Sequence, residues 1–480
     1  MNRRQKMKRI ISALILISML AALAACGGEN TDEKETTVGS SENSDSVSDT
    51  VETKPLDALE RKDFGGKTFK ILDANDYQET YQNLPGDELN GDIVNDGLID
   101  RATYVSENLG VKFEYAVERT SDGYAAVRES VMADEHNVDL LIGGISSGMH
   151  TLATSGIFAN LLDIDGLSLD EKWWSGFMNE NVQYNGKLYI TSGDLIPTMY
   201  CALHCTFLNN KLLDTYGIDT DYYSLVRDGK WTIDELIAIG KDRDNDLDND
   251  GVLSAKDFLG VACMNDMTAA LAAGCGVKFS TIKDGKIVVD LSNEKTVDVV
   301  EKLAPLMRQI KYDNRNEIMY NFKEDRSIAM VHLSASGKNW FRDMDSDFMI
   351  LPLPKWDEAQ ENYYSYLNTW TTAYASIPVT ADMEIVGDVT EMLARYSYQN
   401  IRPKYYNLVL KQKAARDEAS GEMLDIIFDS AYVDFNMIYN FGGTFNVIKK
   451  AYQDNLPIVS SLASAQSAAE AEIEEFEKNW

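Results

Sequence analysis

The stretch 67–72, KTFKIL, is followed by Val94, Leu98, Ala102, Val105 and Leu109 at steps of three and four, and then by VKFEYAV at 111–117. The first and last runs read as strands and the stripe between them as an amphipathic helix. In the second strand Val111, Phe113, Tyr115 and Val117 recur at every second position, the pattern of a half-buried strand. Another helical stripe, Tyr124, Val127 and Val131, leads to the short apolar run DLLIGG at 139–144. Strand, helix, strand, helix, strand predicts a parallel sheet covered on both faces. Ligands bind such sheets beyond the carboxyl ends of the strands, which points to the loops at Asn75 to Tyr77 and Gly144 to Ser147.

Outward from this core, the N-terminus carries an export signal. MNRRQKMKR is a basic leader, IISALILISMLAALAA an apolar run short for a membrane span, and Cys26 follows small residues. Residues 1–25 therefore read as a signal peptide. The tetrapeptide Leu23-Ala24-Ala25-Cys26 resembles the bacterial lipobox, which implies acylation of Cys26 and tethering to the extracellular face of a bacterial membrane. Residues 26–60, rich in Ser, Thr, Gly, Asp and Glu, lack the apolar surface to fold and read as a flexible stalk. Removing the signal takes away five of the 45 basic residues, against 77 acidic ones, and deepens the net charge from −32 to about −37. Such a chain has no basic footprint for nucleic acid. No later segment is long and apolar enough to span a bilayer. What remains exceeds the usual size of one hydrophobic core, so two lobes are expected.

Cysteine and histidine place few constraints. Cys201, Cys205, Cys263 and Cys275 are too sparse for a disulfide framework, and a Cys263–Cys275 bridge and buried thiols both fit an exported chain. Four histidines without paired spacing argue against zinc. A calcium site is expected at 246–257, DLDNDGVLSAKD, where the spacing follows the EF-hand loop. Asp246, Asp248 and Asp250 would donate carboxylate oxygens and Gly251 would make the turn. Val252 would give its carbonyl, Ser254 a contact through water and Asp257 the closing carboxylate, where the usual residue is a longer Glu. Of the tryptophans, Trp173 and Trp174 read as structural and Trp231 as core. Thr232 and Glu235 have the spacing of a capping box.

A family resemblance rests on several short segments. These are YNGKLYITSGDLIPTMYCALHCTFLNNKLLDTYGID at 184–219, GKWTIDELIAIGK at 229–241, FKEDRSIAMVHLSASGKNW at 322–340 and ILPLPKWDEAQ at 350–360. Together with the order of the first lobe they resemble the family 1 extracellular solute-binding proteins of ABC importers, the maltose-binding-protein-like group. Two departures stand out: Asp325 and Arg326 occupy the place of a usual glycine, and Trp340 lies farther along than the family's cleft tryptophan. The resemblance implies an α/β, two-lobed periplasmic-binding-protein-like fold (type II), each lobe a mixed sheet flanked by helices and joined by crossing strands. Lobe 1 is expected over 61–195 and 330–380, and lobe 2 over 196–329 and 381–480. The implied protein is a non-enzymatic, monomeric receptor that captures a carbohydrate, an oligosaccharide, and delivers it to a membrane permease.

By position, the candidate solute contacts are Asp76 and Tyr77 after the first strand, Ser146 and Ser147 after the third, and Asp194 and Tyr200 near the first crossing. Asn265 and Asp266 follow in the second lobe, and Trp340 and Trp370 in later segments. Two other readings remain open at this level. A glycan-binding surface adhesin or sensor would share every feature above. GISSG at 144–148 fits the G-x-S-x-G elbow of a lipid-anchored serine hydrolase, with Ser146 as nucleophile and His204 or His332 as base.

Overall fold

A computed structural model describes residues 62–76, 82–145, 148–197, 199–264, 267–308, 315–341, 343–369, 371–405 and 418–480. The signal peptide, Cys26 and the stalk lie outside the described residues. So do the expected contacts Tyr77, Ser146, Ser147, Asn265, Asp266 and Trp370.

Twelve strands are described: β1 (Lys67–Ala74), β2 (Val111–Glu118), β3 (Leu140–Gly144), β4 (His204–Asn209), β5 (Leu259–Cys263), β6 (Thr281–Lys283), β7 (Lys286–Val288), β8 (Ser327–Leu333), β9 (Phe348–Leu351), β10 (Ser365–Tyr366), β11 (Ala373–Ser376) and β12 (Ala431–Tyr432). They form two four-stranded mixed sheets, β11-β3-β1-β2 in the first lobe and β5-β8-β4-β9 in the second, with helices around each. In the first, β1 runs parallel to β2 and β3, and the late strand β11 pairs antiparallel to β3. The fold is the two-lobed α/β arrangement expected from the sequence.

Local sequence explains the first lobe. Asp92 caps the helix Ile93–Leu109 by accepting from the amides of Val94 and Asn95, and Gly110 ends it in the left-handed region at φ 60°. Val94, Leu98, Val105 and Leu109 are buried as their spacing predicts, with Ala102 half-buried. β2 departs from expectation. Only Val111 is buried, while Tyr115 and Val117 are exposed, because β2 is the edge of its sheet.

Four phenylalanines, Phe207 on β4, Phe348 on β9, Phe322 and Phe341, pack with ring centroids 4.8 to 6.4 Å apart in the second lobe. Each fully buried ring contributes about 1.5–3 kcal/mol. Helix Ile233–Gly240 packs against β5 through Gly240 and Gly260, where a Cβ on Gly260 would lie 2.4 Å from the Gly240 Cα. Trp231 is fully buried and donates its indole N–H to the Pro352 carbonyl at 2.9 Å. Thr232 takes the N-cap position without a side-chain cap bond, so the capping-box spacing is not used as such. Cys263 and Cys275 are buried thiols that do not bridge each other.

The chain leaves the first lobe over residues 194–203 and returns over 367–373, the two crossings meeting at a β-bridge between Leu203 and Leu367. The lobes exchange later than residue 330. β8 and β9 both belong to the second sheet, and of 330–380 only β11 joins the first. The helix Val386–Tyr396, within 381–480, packs on Ile93–Leu109 in the first lobe. A continuous apolar strand such as SIAMVHL reads alike in either sheet, so its partner cannot be read from pattern. The C-terminal helix Ile458–Asn479 buries Leu462, Ala469 and Ile473 as expected.

Candidate functional site

The end of β1 and the residues just after it carry three polar side chains, Asp73, Asn75 and Asp76. Asp73 is buried, accepts from the Asn83 amide at 3.1 Å, and is pushed by burial up to about 7. Asn75 is buried beside it. Asp76 is exposed and accepts from the Thr120 backbone N–H at 3.1 Å, so one carboxylate oxygen seats the helix Thr120–Met132. At the end of β3, the Tyr124 hydroxyl donates to the Gly144 carbonyl at 2.6 Å. The helix Met149–Thr154 then presents His150 edge-on to Tyr439, with ring centroids 6.1 Å apart.

Two of the expected solute contacts meet each other instead of facing solvent. Tyr200 and Asp194 are buried, and the Tyr200 hydroxyl donates to the Asp194 carboxylate. Desolvation pushes Asp194 up to about 7, offset only in part by Arg402 at 3.7 Å and by the Tyr200 bond. Both residues sit where the first crossing begins, and there they brace each other inside the protein. Trp340 lies elsewhere: it is half-buried and packs edge-on against Tyr320, 5.6 Å between centroids. Position along the chain therefore brings Asp194 and Tyr200 together and leaves Asp76 and Trp340 apart.

Two grooves combine aromatic and carboxylate walls. One of about 450 Å³ opens between Phe177 of the first lobe and second-lobe groups that include Tyr363, Glu422, Asp425 and Asp429. Another of about 330 Å³ runs between Thr154 and the C-terminal helix, lined by Glu472, Glu475, Phe476 and Trp480. Sequence reasoning placed Phe476 and Trp480 on a docked helix and did not connect them with a groove. The signal it lacked was tertiary, because Thr154 is more than 300 residues away in the chain.

His204 and His332, weighed as bases for Ser146, are buried strand residues of the second sheet. The His204 Nδ1 meets the Tyr366 carbonyl at 2.9 Å and the His332 Nδ1 meets Ser336 Oγ at 2.7 Å.

In the aspartate-rich loop, carboxylate oxygens of Asp246, Asp248 and Asp250 lie within 4.8 Å of one another. Asp246 accepts from the Asn249 and Gly251 amides at 2.7 and 2.8 Å, and Gly251 makes the turn at φ 82°. Asp257 has a different task from the other three. It is buried and accepts from Leu247 N at 2.9 Å and Ser254 N at 2.8 Å. Burial pushes its carboxyl up, yet these bonds and the Ser254 hydroxyl hold it below the usual range. Val252 is exposed. Three converging carboxylates with little intervening positive charge are a donor set suited to a hard divalent cation.

No protein-family model matches the sequence, and none of the curated proteins matches it. Among solved structures, a cyclo/maltodextrin-binding protein complexed with maltotetraose is similar over 85% of this chain and 97% of its own, with a TM-score of 0.57 and 12% identity.

Proposed function

We propose that this protein is a solute-binding receptor that captures a carbohydrate, an oligosaccharide, between its two lobes and hands it unaltered to an ABC permease. The single observation that carries this reading is the two-lobed fold, similar over 97% of the length of a protein whose structure contains maltotetraose. A solute that touches both lobes stabilises only their closed arrangement, so binding and closure are one equilibrium. The expected contacts are Asp76, exposed after β1, with Tyr77, Ser146 and Ser147, together with Asn265, Asp266 and Trp370 from other segments of the chain. Aromatic faces would stack on sugar rings while carboxylates and amides take the hydroxyls. The lipobox supports a tether through acyl chains on Cys26 at the outer face of a bacterial membrane. Calcium held by Asp246, Asp248 and Asp250 would staple the second-lobe loop.

Thermal unfolding of the purified chain against a library of neutral oligosaccharides, peptides and metal ions tests the reading. Neutral oligosaccharides are expected to raise the midpoint; a response confined to peptides or metals overturns the carbohydrate assignment.

A further inference from the structure

Arg402 reaches across the lobe boundary. On the first-lobe side, the π-turn Ser397–Ile401 packs on helix Ile93–Leu109, whose Arg101 donates to Ser397 Oγ at 2.8 Å and to the Leu195 carbonyl at 2.9 Å. Arg402 follows this turn, with one guanidinium nitrogen 3.7 Å from buried Asp194 at the start of the first crossing. On the other side, the helix Glu418–Asp429 belongs to the second lobe. It packs on β9, pairs Ser420 with the Tyr223 hydroxyl at 2.8 Å and Glu422 with Arg227 at 2.8 Å. Its last residue, Asp429, accepts from Arg402 at 2.7 Å. The guanidinium is also flanked by rings from both sides, Tyr398 at 5.4 Å and Phe428 at 5.5 Å.

Asp429 lines the 450 Å³ groove together with Phe177 of the first lobe, so the ion pair lies beside a contact between the lobes. We infer that the Arg402–Asp429 pair is a conformational latch: it holds the lobes in the orientation described here and must release when they rotate about the crossings. The Arg402 side chain is 9% exposed and held on the first-lobe side by Tyr398 and Asp194, whereas the Asp429 side chain is 70% exposed and would move away with its helix and with Phe428. An anchored cation with a departing anion gives two discrete states, which a bistable interface requires. Because the latch concerns lobe motion alone, it stands or falls independently of which solute is bound.

The test measures interlobe distances in the full chain by pulsed dipolar spectroscopy. Nitroxides on ketone-bearing residues introduced at Lys112 and Lys283, both exposed and one in each lobe, leave the cysteines untouched. Asp429→Asn is expected to raise the population of a second interlobe distance by about threefold over wild type, the scale of a screened ion pair. About 1 M NaCl, with a Debye length near 3 Å, is expected to move wild type the same way and D429N little. Glu422→Gln, which breaks a pair inside the second lobe on the same helix, is expected to leave the distribution unchanged. D429N superposing on wild type at both salt levels, or E422Q shifting as far as D429N, would overturn the latch.

Discussion

Glu391 takes hydrogen bonds from both indoles of the Trp173–Trp174 pair, at 2.8 and 2.9 Å, and from the Ser168 amide at 3.1 Å. Burial nevertheless dominates, and the carboxyl is pushed up to about 7. Asp73 and Asp194 are raised to about 7 by the same cause. In the unfolded chain these groups titrate near ordinary values of 3.8 and 4.5. Between those values and 7 the native state therefore holds more protons, and stability falls as pH rises through that window. Asp325 and Asp382 act oppositely. Burial raises each, but hydrogen bonds outweigh it and hold them below the usual range, so their contribution is lost in stronger acid. Stability is expected to peak near about pH 4 and to fall until about pH 7, each raised carboxyl accounting for on the order of a few kcal/mol. Urea midpoints of wild type and Glu391→Gln at several pH values check this. The variant leaves an indole N–H short of an acceptor, which lowers its stability by about 1–3 kcal/mol near about pH 4, and its decline toward about pH 7 should be shallower. A parallel slope would remove Glu391 from the titrating set.

At the scale of elements, legibility followed the kind of constraint. Helix Ile93–Leu109 and strands β1 and β3 were readable because periodicity and burial coincide in them. β2 was readable as a strand but not as an edge, since edge status depends on what its neighbours leave uncovered. Asp325 shows a motif disguised by a substitution. It adopts φ 55°, a left-handed turn that glycine takes most readily, and its carboxylate takes bonds from Asn209 and Lys211 at 2.7 Å and Ser346 at 2.8 Å. Of the candidate site, Asp76 was found at the strand end where topology puts ligands, while Asp194 and Tyr200 could not be recognised as a brace without Arg402, some 200 residues later. The 246–257 loop was legible in full sequence detail, yet the role of Asp257 emerged only from its burial. That division of labour sets an expectation: calcium raises the thermal midpoint of wild type, and Asp248→Asn, which touches no cap of the loop's ends, removes most of the rise. Chelator and calcium scans giving equal midpoints in wild type would defeat the assignment.

For the molecule as a whole, the latch and the solute should act on one equilibrium. If the solute binds a single lobe orientation, its apparent dissociation constant equals the intrinsic one divided by the fraction of molecules already in that orientation. Loosening Arg402 from Asp429 changes that fraction without touching any proposed solute contact. Asp429→Asn should therefore alter the affinity for whichever oligosaccharide shifts the melting midpoint by the factor by which it changes the population of the solute-binding orientation, up to about threefold where that orientation is the minor one. The sign can be read in advance. If the distance that the variant populates is the one wild type adopts with solute bound, binding tightens; if it is the other, binding weakens. Titration calorimetry on both proteins supplies the affinities, and the spin-label distributions supply the populations. Because one free-energy difference governs both, an affinity that stays fixed while the populations move would mean that the solute does not discriminate between lobe orientations, and that capture by closure is not how this protein binds.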